Sequence, residues 1–543
     1  MIMKKHIKYI IGITAIASIT AAGCKKDFFN RPPESGVTVG NYYQTTDQVN
    51  SSTNGLYGAV WFGWNNKVGW SITELSGGNG RSYSSDVSAF GDIAVPNTNP
   101  EILAAWDSPF TVIAQANGII NNLPAVVPAT VPAAAVNNAL GEAHLMRAVG
   151  YFYLTRVFGN VPIIENPSQD LTNFGSIPTN PVADVYKFMV NDLKFAEANC
   201  YTNDAGTGHG SSGSASAMLA KVYLYMQDYT DARAEAEKVI NSGEFSLLPN
   251  FGDLFLTINN NNKESILAMQ CVYNAGYDFG NSIQASWAFS SDITQTGDGY
   301  GVFGPTIDLQ NAFVAEGGDS TRRHYTIMLP GSHYKELQEG GKLPSGYIFP
   351  VSGSAQGTNA APKKYVIGAP GDADNNGKSA AQAAGNNTYI MRYADVLLIE
   401  AEAILGQGTS AGTGISLSKS TTDATALKYF NMVRQRVGVP AVTSFTYAQL
   451  LLERRLEFAL EQDYWFDLGR IDGFGATSHP TATAIISAQE RGTYSGSADS
   501  NPAPVIYSSH ITPTNAQFTF PVPVAESNAD PNLTKAPVPY VFK

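Results

Sequence analysis

"SASAMLAKVYLYMQDYTDARAEAEKVINSGEF", from Ser214 to Phe245, reads as two helices that meet at a turn around "QDY". Small residues recur at Ala217, Ala220, Ala232 and Ala236, with Tyr223 and Tyr229 between them. Small side chains let helix backbones approach closely, and rings fill the space left over. A second stretch, "RYADVLLIEAEAILGQG" from Arg392 to Gly408, has the same character and carries the small Gly406 and Gly408. "TDATALKYFNMVRQRVG" follows it as a partner, after an insert from Gln407 to Thr422 rich in Gly, Ser and Thr.

Each pair resembles a tetratricopeptide unit, in degenerate form. One such pair cannot bury its apolar face alone, so stacking against neighbours is expected. The fold class is therefore mainly α: tetratricopeptide-like helix pairs forming a scaffold, with loop-rich stretches and a few short strands.

Working outward, further helices are expected. One starts at "TTDQVN", with Thr45 or Thr46 as N-cap and Asp47 in the first turn. "EILAAWDSPFTVIAQANGIINNL" should stop at Pro124, and "NNALGEAHLMRAVGYFYLTRVFGNVP" at Gly159 and Pro162. "NPVADVYKFMVNDLKFAEAN" has Pro181 near its first turn. The stretch from Trp64 to Pro100 reads as loop, and "ESILAMQCVY" suits a strand. The tail from Phe518 is rich in proline and reads as an extended finish. The divisions are 24–258, helical with a first loop face; 259–391, a loop-rich insert; and 392–543, a helical pair with its tail.

The 543 residues allow about three domains of ordinary size, or one large α-rich unit. Charged residues are only 15%, against the usual ~25%, while Gly (51), Tyr (27) and Phe (26) are abundant. That points to ordered, hydrogen-bonding loops and away from disorder, which needs charge and few aromatics. A net charge of −12 argues against a nucleic-acid partner, whose phosphates require a basic surface.

Residues 1–23 read as a signal peptide. Lys4, Lys5 and Lys8 precede the apolar run Tyr9 to Gly23, which is too short to span a bilayer comfortably. It ends in Ala21-Ala22-Gly23-Cys24, which resembles a bacterial lipobox, so Cys24 is the expected lipidation site. Acyl chains on that residue meet the two-signal requirement for stable anchoring. Cys200 and Cys271 remain, and spacing alone does not show whether they pair.

Catalytic patterns are absent. No HExxH or P-loop occurs, and the one GxSxG string, Gly408 to Gly412, lies in the Gly/Ser/Thr-rich insert, not at the strand-to-helix elbow that such a nucleophile needs. Glu453, Glu457 and Glu461 fall at i, i+4 and i+8, on one helix face. A glycosidase needs two carboxylates facing each other across a cleft, so these three call for cations instead, with Arg392, Arg434, Arg436, Arg454 and Arg455 available. "GDADNNG" begins like a calcium loop at Asp372, Asp374 and Asn376, but position 12 is Ala383, which cannot ligate. An ordinary turn is the plainer reading. No enzyme activity, cofactor or metal is expected.

Taken in order, several stretches resemble the SusD/RagB-type outer-membrane lipoproteins of Bacteroidetes. They are "CKKDFF", "GEAHLMRAVGYFYLTRVFGNVP", "VYKFMVNDLKFAE", "GYGVFGPTIDLQNAF", "YIMRYADVLLIEAEA", "LLERRLEFALEQDYWFDLGR" and "FPVPVAESNADPNL", together with the opening helix pair. The resemblance covers nearly the whole chain. It implies a helical scaffold that carries a loop-rich ligand-binding face, on a cell-surface protein that captures oligo- or polysaccharide and delivers it to a SusC-like TonB-dependent β-barrel transporter. The outer membrane would be reached through the lipid anchor. A peptide ligand, or a helical interaction scaffold without ligand, is the alternative.

The family's binding residues vary, so no site position is carried over by motif. The residues themselves suggest a platform. Sugars offer C–H faces to aromatic rings and hydroxyls to polar groups. Trp61, Trp64 and Trp70 border the loop "SGGNGRSYSSD", and the central block supplies Tyr277, Trp287, Phe289, Tyr300 and Phe303. Core packing is the competing reading for each ring, above all for Trp61, Trp106 and Trp465. The expected glycan contacts are Trp70, Asn79, Arg81, Tyr83, Asp86, Trp287 and Tyr300, with Trp287 stacking opposite Trp70 or Tyr83.

Overall fold

The computed structural model describes residues 42–167, 175–315, 319–372 and 377–542. The leader, Cys24, Asp374 and Asn376 lie outside the described residues.

About half of the chain is helical. Helix α1 (Thr46–Ser51) starts where expected: the Thr45 hydroxyl accepts from the Gln48 amide, and the Gln48 side chain caps back. Then come α2 (Pro100–Val126), α3 (Ala133–Phe158), α4 (Val182–Asn199), α5 (Ser212–Met226) and α6 (Tyr229–Ser242). Each packs on the next, from α2 to α6. Helix α7 (Tyr393–Gly406) then joins α6 and packs on α8 (Ala424–Arg436). Two further helices, α9 (Tyr447–Phe458) and α10 (Tyr464–Arg470), complete the scaffold.

The two sequence repeats are thus neighbours in one stack. Their small residues act by close approach: a Cβ on Gly406 would lie 2.5 Å from the Tyr229 ring, an overlap that real atoms do not tolerate. The α5–α6 turn forms at Gln227, in the left-handed region at φ 54°.

Three expectations change. Helix α2 does not stop at Pro124 but runs through Pro109 and Pro124 to Val126. Pro124 sits in its last turn, so little helix remains beyond the one bond that its missing amide removes. The supposed loop after Trp64 winds into two π-helical turns, Trp64–Val68 and Ser71–Leu75, nearly all buried. Finally, α9 ends at Phe458, so Glu461 is not on its face. It follows Leu460, whose φ of 66° turns the chain.

That turn brings carboxylates and cations together in the core. Arg392 donates to Glu264 and Glu457 (both 2.7 Å) and to Glu461 (2.6 Å). Arg436 joins Glu264 and Glu457, Arg322 reaches Glu453 at 2.6 Å, and Lys364 meets Glu461 at 2.8 Å. A second set links Lys221 with Asp395 and Asp463, and Arg454 with Asp395 and Asp467. Burial works against the Glu457 charge, but the guanidiniums of Arg436, Arg392 and Arg322 outweigh it and hold its carboxyl far below the usual range. Removing one member of such a set strands the others; breaking a buried pair costs about 3–5 kcal/mol. These carboxylates hold helices together, and Glu453, Glu457 and Glu461 are buried in ion pairs and not set across a cleft.

Strands are few and short. β1 is Gly80–Arg81, β2 is Ser265–Met269, β3 is Gly304–Pro305 and β4 is Thr388–Arg392. β2 pairs antiparallel with β4, which feeds α7, and β1 pairs antiparallel with β3. A last hairpin, β5 (Thr493–Tyr494) with β6 (Ile506–Tyr507), projects near the C-terminus. Neither Cys200 nor Cys271 is in a disulfide.

Candidate functional site

The β1–β3 pair matters most for function, because it clamps the 64–92 segment to the central block. Gly80 faces Pro305 and Arg81 faces Gly304. A Cβ on Gly80 would fall 2.0 Å from the Phe303 ring, so only glycine admits this approach. Beneath the clamp lies an aromatic cluster: Trp70 to Trp287 at 6.1 Å, Trp70 to Phe303 at 5.9 Å and Trp287 to Phe303 at 5.0 Å between ring centroids. Edge-to-face geometry dominates, as expected for packed rings.

That cluster corrects the proposed platform. Trp70 and Trp287 are both 0% exposed, so neither offers a face to a ligand in this structure. The Trp70 indole donates inward, to the Asn66 carbonyl at 3.0 Å. Asn79 is also fully buried: its amide donates to Glu74 at 2.8 Å, and its oxygen accepts from Arg455 at 2.8 Å. Of the three, Trp70 packs against a cleft beside Tyr300, while Trp287 and Asn79 lie in the core behind it. Trp61, Trp64, Trp106 and Trp465 are likewise buried.

The remaining expected residues do come together at the surface. Tyr83 is 63% exposed and Tyr300 56%. They are bridged by one side chain: the Tyr83 amide donates to Gln356 Oε1 at 2.7 Å, and Gln356 Nε2 donates to the Gly301 carbonyl at 2.7 Å. The Arg81 guanidinium lies 4.7 Å from the Tyr83 ring centroid and donates to the Arg491 carbonyl at 2.9 Å. Arg81 therefore stiffens Tyr83 and has one donor already engaged.

Beside Tyr300 a cleft of about 140 Å³ is lined by Asn66, Lys67, Trp70, Asp86 and Tyr277, among others. Lys67 donates to Asp86 Oδ2 at 2.6 Å, and Ser84 donates to Oδ1 at 2.6 Å. Burial opposes both charges, yet the pairing prevails: Lys67 is held above its ordinary value and Asp86 below. Asp86 is thus present, but as half of an ion pair.

Tyr277 and Lys67 were not among the expected contacts. Tyr277 is half-exposed, packs edge-on to Phe62 at 4.5 Å, and its hydroxyl accepts from Asn66 at 3.0 Å. Asn66 is in turn fixed by the Ser282 hydroxyl at 2.8 Å. Tyr277 was visible as a ring in the central block; nothing local marked Lys67, whose partner lies across a loop.

A larger cleft, of about 720 Å³, lies between α2 and the tail, where Trp106, Phe110, Ile113 and Leu533 line it. Its main polar groups serve the fold. Asn117 donates to the Ile164 carbonyl and Asp530 accepts from the Ile177 amide. With those polar groups so engaged, the tyrosine-lined cleft is the better candidate.

Asp372, first residue of the calcium-like sequence, is buried and accepts from the Gln338, Gly340 and Ala369 amides. Its carboxylate closes a turn. Among the described residues no cluster of His, Cys, Asp or Glu could hold a metal, and no helix is long and apolar enough to cross a membrane.

The chain is similar to known proteins over most of its length. The model described as "SusD family" matches residues 263–538, and that described as "Starch-binding associating with outer membrane" matches 44–224. A SusD-like protein of Bacteroides ovatus is 31% identical over 481 residues, covering 86% of this chain and 83% of the relative. The starch-binding protein SusD of Bacteroides thetaiotaomicron is 29% identical over 136 residues, 23% of each chain. A crystal structure with xylogluco-oligosaccharide superposes with a TM-score of 0.78 at 28% identity, covering 91% of this chain and 99% of the other.

Proposed function

This chain belongs to the SusD family, whose members are carbohydrate-binding and non-catalytic, and from that premise we propose that it captures a neutral oligo- or polysaccharide at the cell surface. The observation that carries this reading is the trio Tyr83, Tyr277 and Tyr300, exposed around the Lys67–Asp86 pair on loops fixed by the β1–β3 clamp. Exposed rings on a rigid support suit the C–H faces of sugars, and the hydroxyls and flanking Ser84 and Asn66 suit sugar hydroxyls.

Neutrality follows from charge. Lys67 is neutralised by Asp86, Arg81 has a donor engaged by a carbonyl, and the chain as a whole carries −12. A uronate polymer would find the cleft's Lys67 already paired and would be repelled at long range by the chain's net charge, although the Arg81 guanidinium beside Tyr83 keeps its charge. The relative crystallised with xylogluco-oligosaccharide supports this ligand class.

The finer reading is a lipoprotein anchored through Cys24 that presents its glycan to a SusC-like TonB-dependent barrel in the outer membrane. The second family description supports association with that membrane. No helix among the described residues is long and apolar enough to cross a membrane, which is in keeping with a separate spanning partner.

The experiment is calorimetry of the purified protein against a panel: xyloglucan, laminarin and starch oligosaccharides beside pectic and alginate ones. Binding confined to neutral members, without release of reducing ends, is expected. Binding confined to the acidic members, or to none, overturns the proposal.

A further inference from the structure

The β5–β6 hairpin carries three consecutive exposed apolar residues: Val505 at 60%, Ile506 at 44% and Tyr507 at 63%. Nothing in the scaffold or the clamp uses them. Yet the hairpin is firmly held. The Arg491 amide donates to the Ser509 carbonyl and the Ser495 amide to the Val505 carbonyl, both at 2.9 Å. The Arg491 carbonyl, at its base, accepts from Arg81, the residue lying over the Tyr83 ring.

One point relates this hairpin to the tyrosine face. A Cβ built on Gly357 would lie 3.0 Å from Thr493 Cγ2 and 3.9 Å from the Tyr83 hydroxyl. Thr493 and Tyr83 therefore converge on the same spot. Thr493 is also the direct cross-strand partner of Tyr507. Directly opposed residues project from the same face of a pair, with Cβ atoms about 5 Å apart. Tyr507 thus stands on the hairpin face that meets Tyr83. Gln356, adjacent to Gly357, continues the link to Gly301 beside Tyr300. The result is a continuous row: Tyr277, Tyr300, Tyr83, Tyr507.

We propose that the β5–β6 hairpin is a second arm of the glycan face. It takes a polysaccharide chain long enough to run from Tyr300 across Tyr83 to Tyr507. This rests on the glycan-binding reading above. Occupancy by sugar is favoured by continuity: the row begins in the candidate site and is stiffened by the same Arg81. A short oligosaccharide fills the cleft beside Tyr300, and only a longer one reaches the hairpin.

The test is a length series. Affinities of the full chain for a ladder of xylogluco-oligosaccharides and the parent polymer are measured for wild type, Tyr507→Ala, Tyr507→Phe and Tyr83→Ala. Laminarin and starch ladders serve as the second and third probes. Tyr507→Ala should weaken the long members roughly 5- to 100-fold, the range for a lost aromatic anchor, and leave the shortest unchanged. Tyr507→Phe should bind like wild type, since the ring is kept. The exposed position makes the fold insensitive to either change.

If Tyr507→Ala binds every length like wild type while Tyr83→Ala loses affinity, the hairpin arm is wrong and the glycan site stands. An equal loss at all lengths also overturns the arm. If Tyr83→Ala binds like wild type too, or no ladder binds, the glycan reading falls and takes the arm with it.

Discussion

Trp287 and Tyr300 come from one loop-rich block and do opposite work. Trp287 is wedged against Phe303 and Tyr365 with no exposed surface, while Tyr300 presents more than half of its surface to solvent. Trp287→Ala should therefore act on stability. Emptying a core site of this size costs about 3–5 kcal/mol, and a lowered midpoint in denaturant titration is the expected result. Wild-type stability would show that the ring is not core. Residue by residue, surface exposure was half legible. Tyr83 and Tyr300 could be found because rings amid Gly, Ser and Asn suggest an exposed loop. The same composition misled for Trp70 and Asn79, because their neighbours lie far along the chain, at Phe303 and Arg455. Local sequence does not state which loop closes over which ring.

At the scale of elements, the helices were the most legible part. Caps at Thr45 and Gly159 and the small residues of the repeats fixed most ends and partners. The failures were at Pro124, at Glu461 and in the π-helical stretch after Trp64, where tertiary packing overrides the local signal. The packing between α6 and α7 also contains a titration. Glu400, fully buried on α7, faces Arg233 at 3.3 Å; Arg233 is shared with Glu237 of α6, and Asp423 caps nearby α8. Burial, with Glu237 and Asp423, raises the Glu400 carboxyl to about 7, against the pull of Arg233. Its folded value lies above its unfolded one, so the folded state binds the proton more tightly. Stability then falls as pH rises from the unfolded value, about 4.3, through 7. Glu400→Gln, which mimics the protonated acid, should stabilise the protein by roughly 1–3 kcal/mol at pH 8 and change little at pH 4. Melting curves at both values check this; an equal effect at both would mean that the carboxyl does not titrate between them.

At the scale of the molecule, the account is of a helical stack that carries a tyrosine-lined face, with the proposed anchor at Cys24. The stack was readable because helical pairs leave a periodic mark. The face was not, because β1–β3 is a two-residue pairing between distant segments with no pattern of its own. The tether predicts that Cys24→Ser moves the protein from the membrane fraction to the soluble one. Continued membrane retention, without acyl labelling of the wild type, would refute the anchor. The central claim is that exposed tyrosines on a rigid floor hold a neutral glycan. Its most direct test is the affinity of Tyr300→Ala, by calorimetry, for whichever neutral oligosaccharide the wild type binds, with a melting curve alongside. The account predicts a loss of roughly 5- to 150-fold with an unchanged melting temperature. Wild-type affinity in that variant would contradict it.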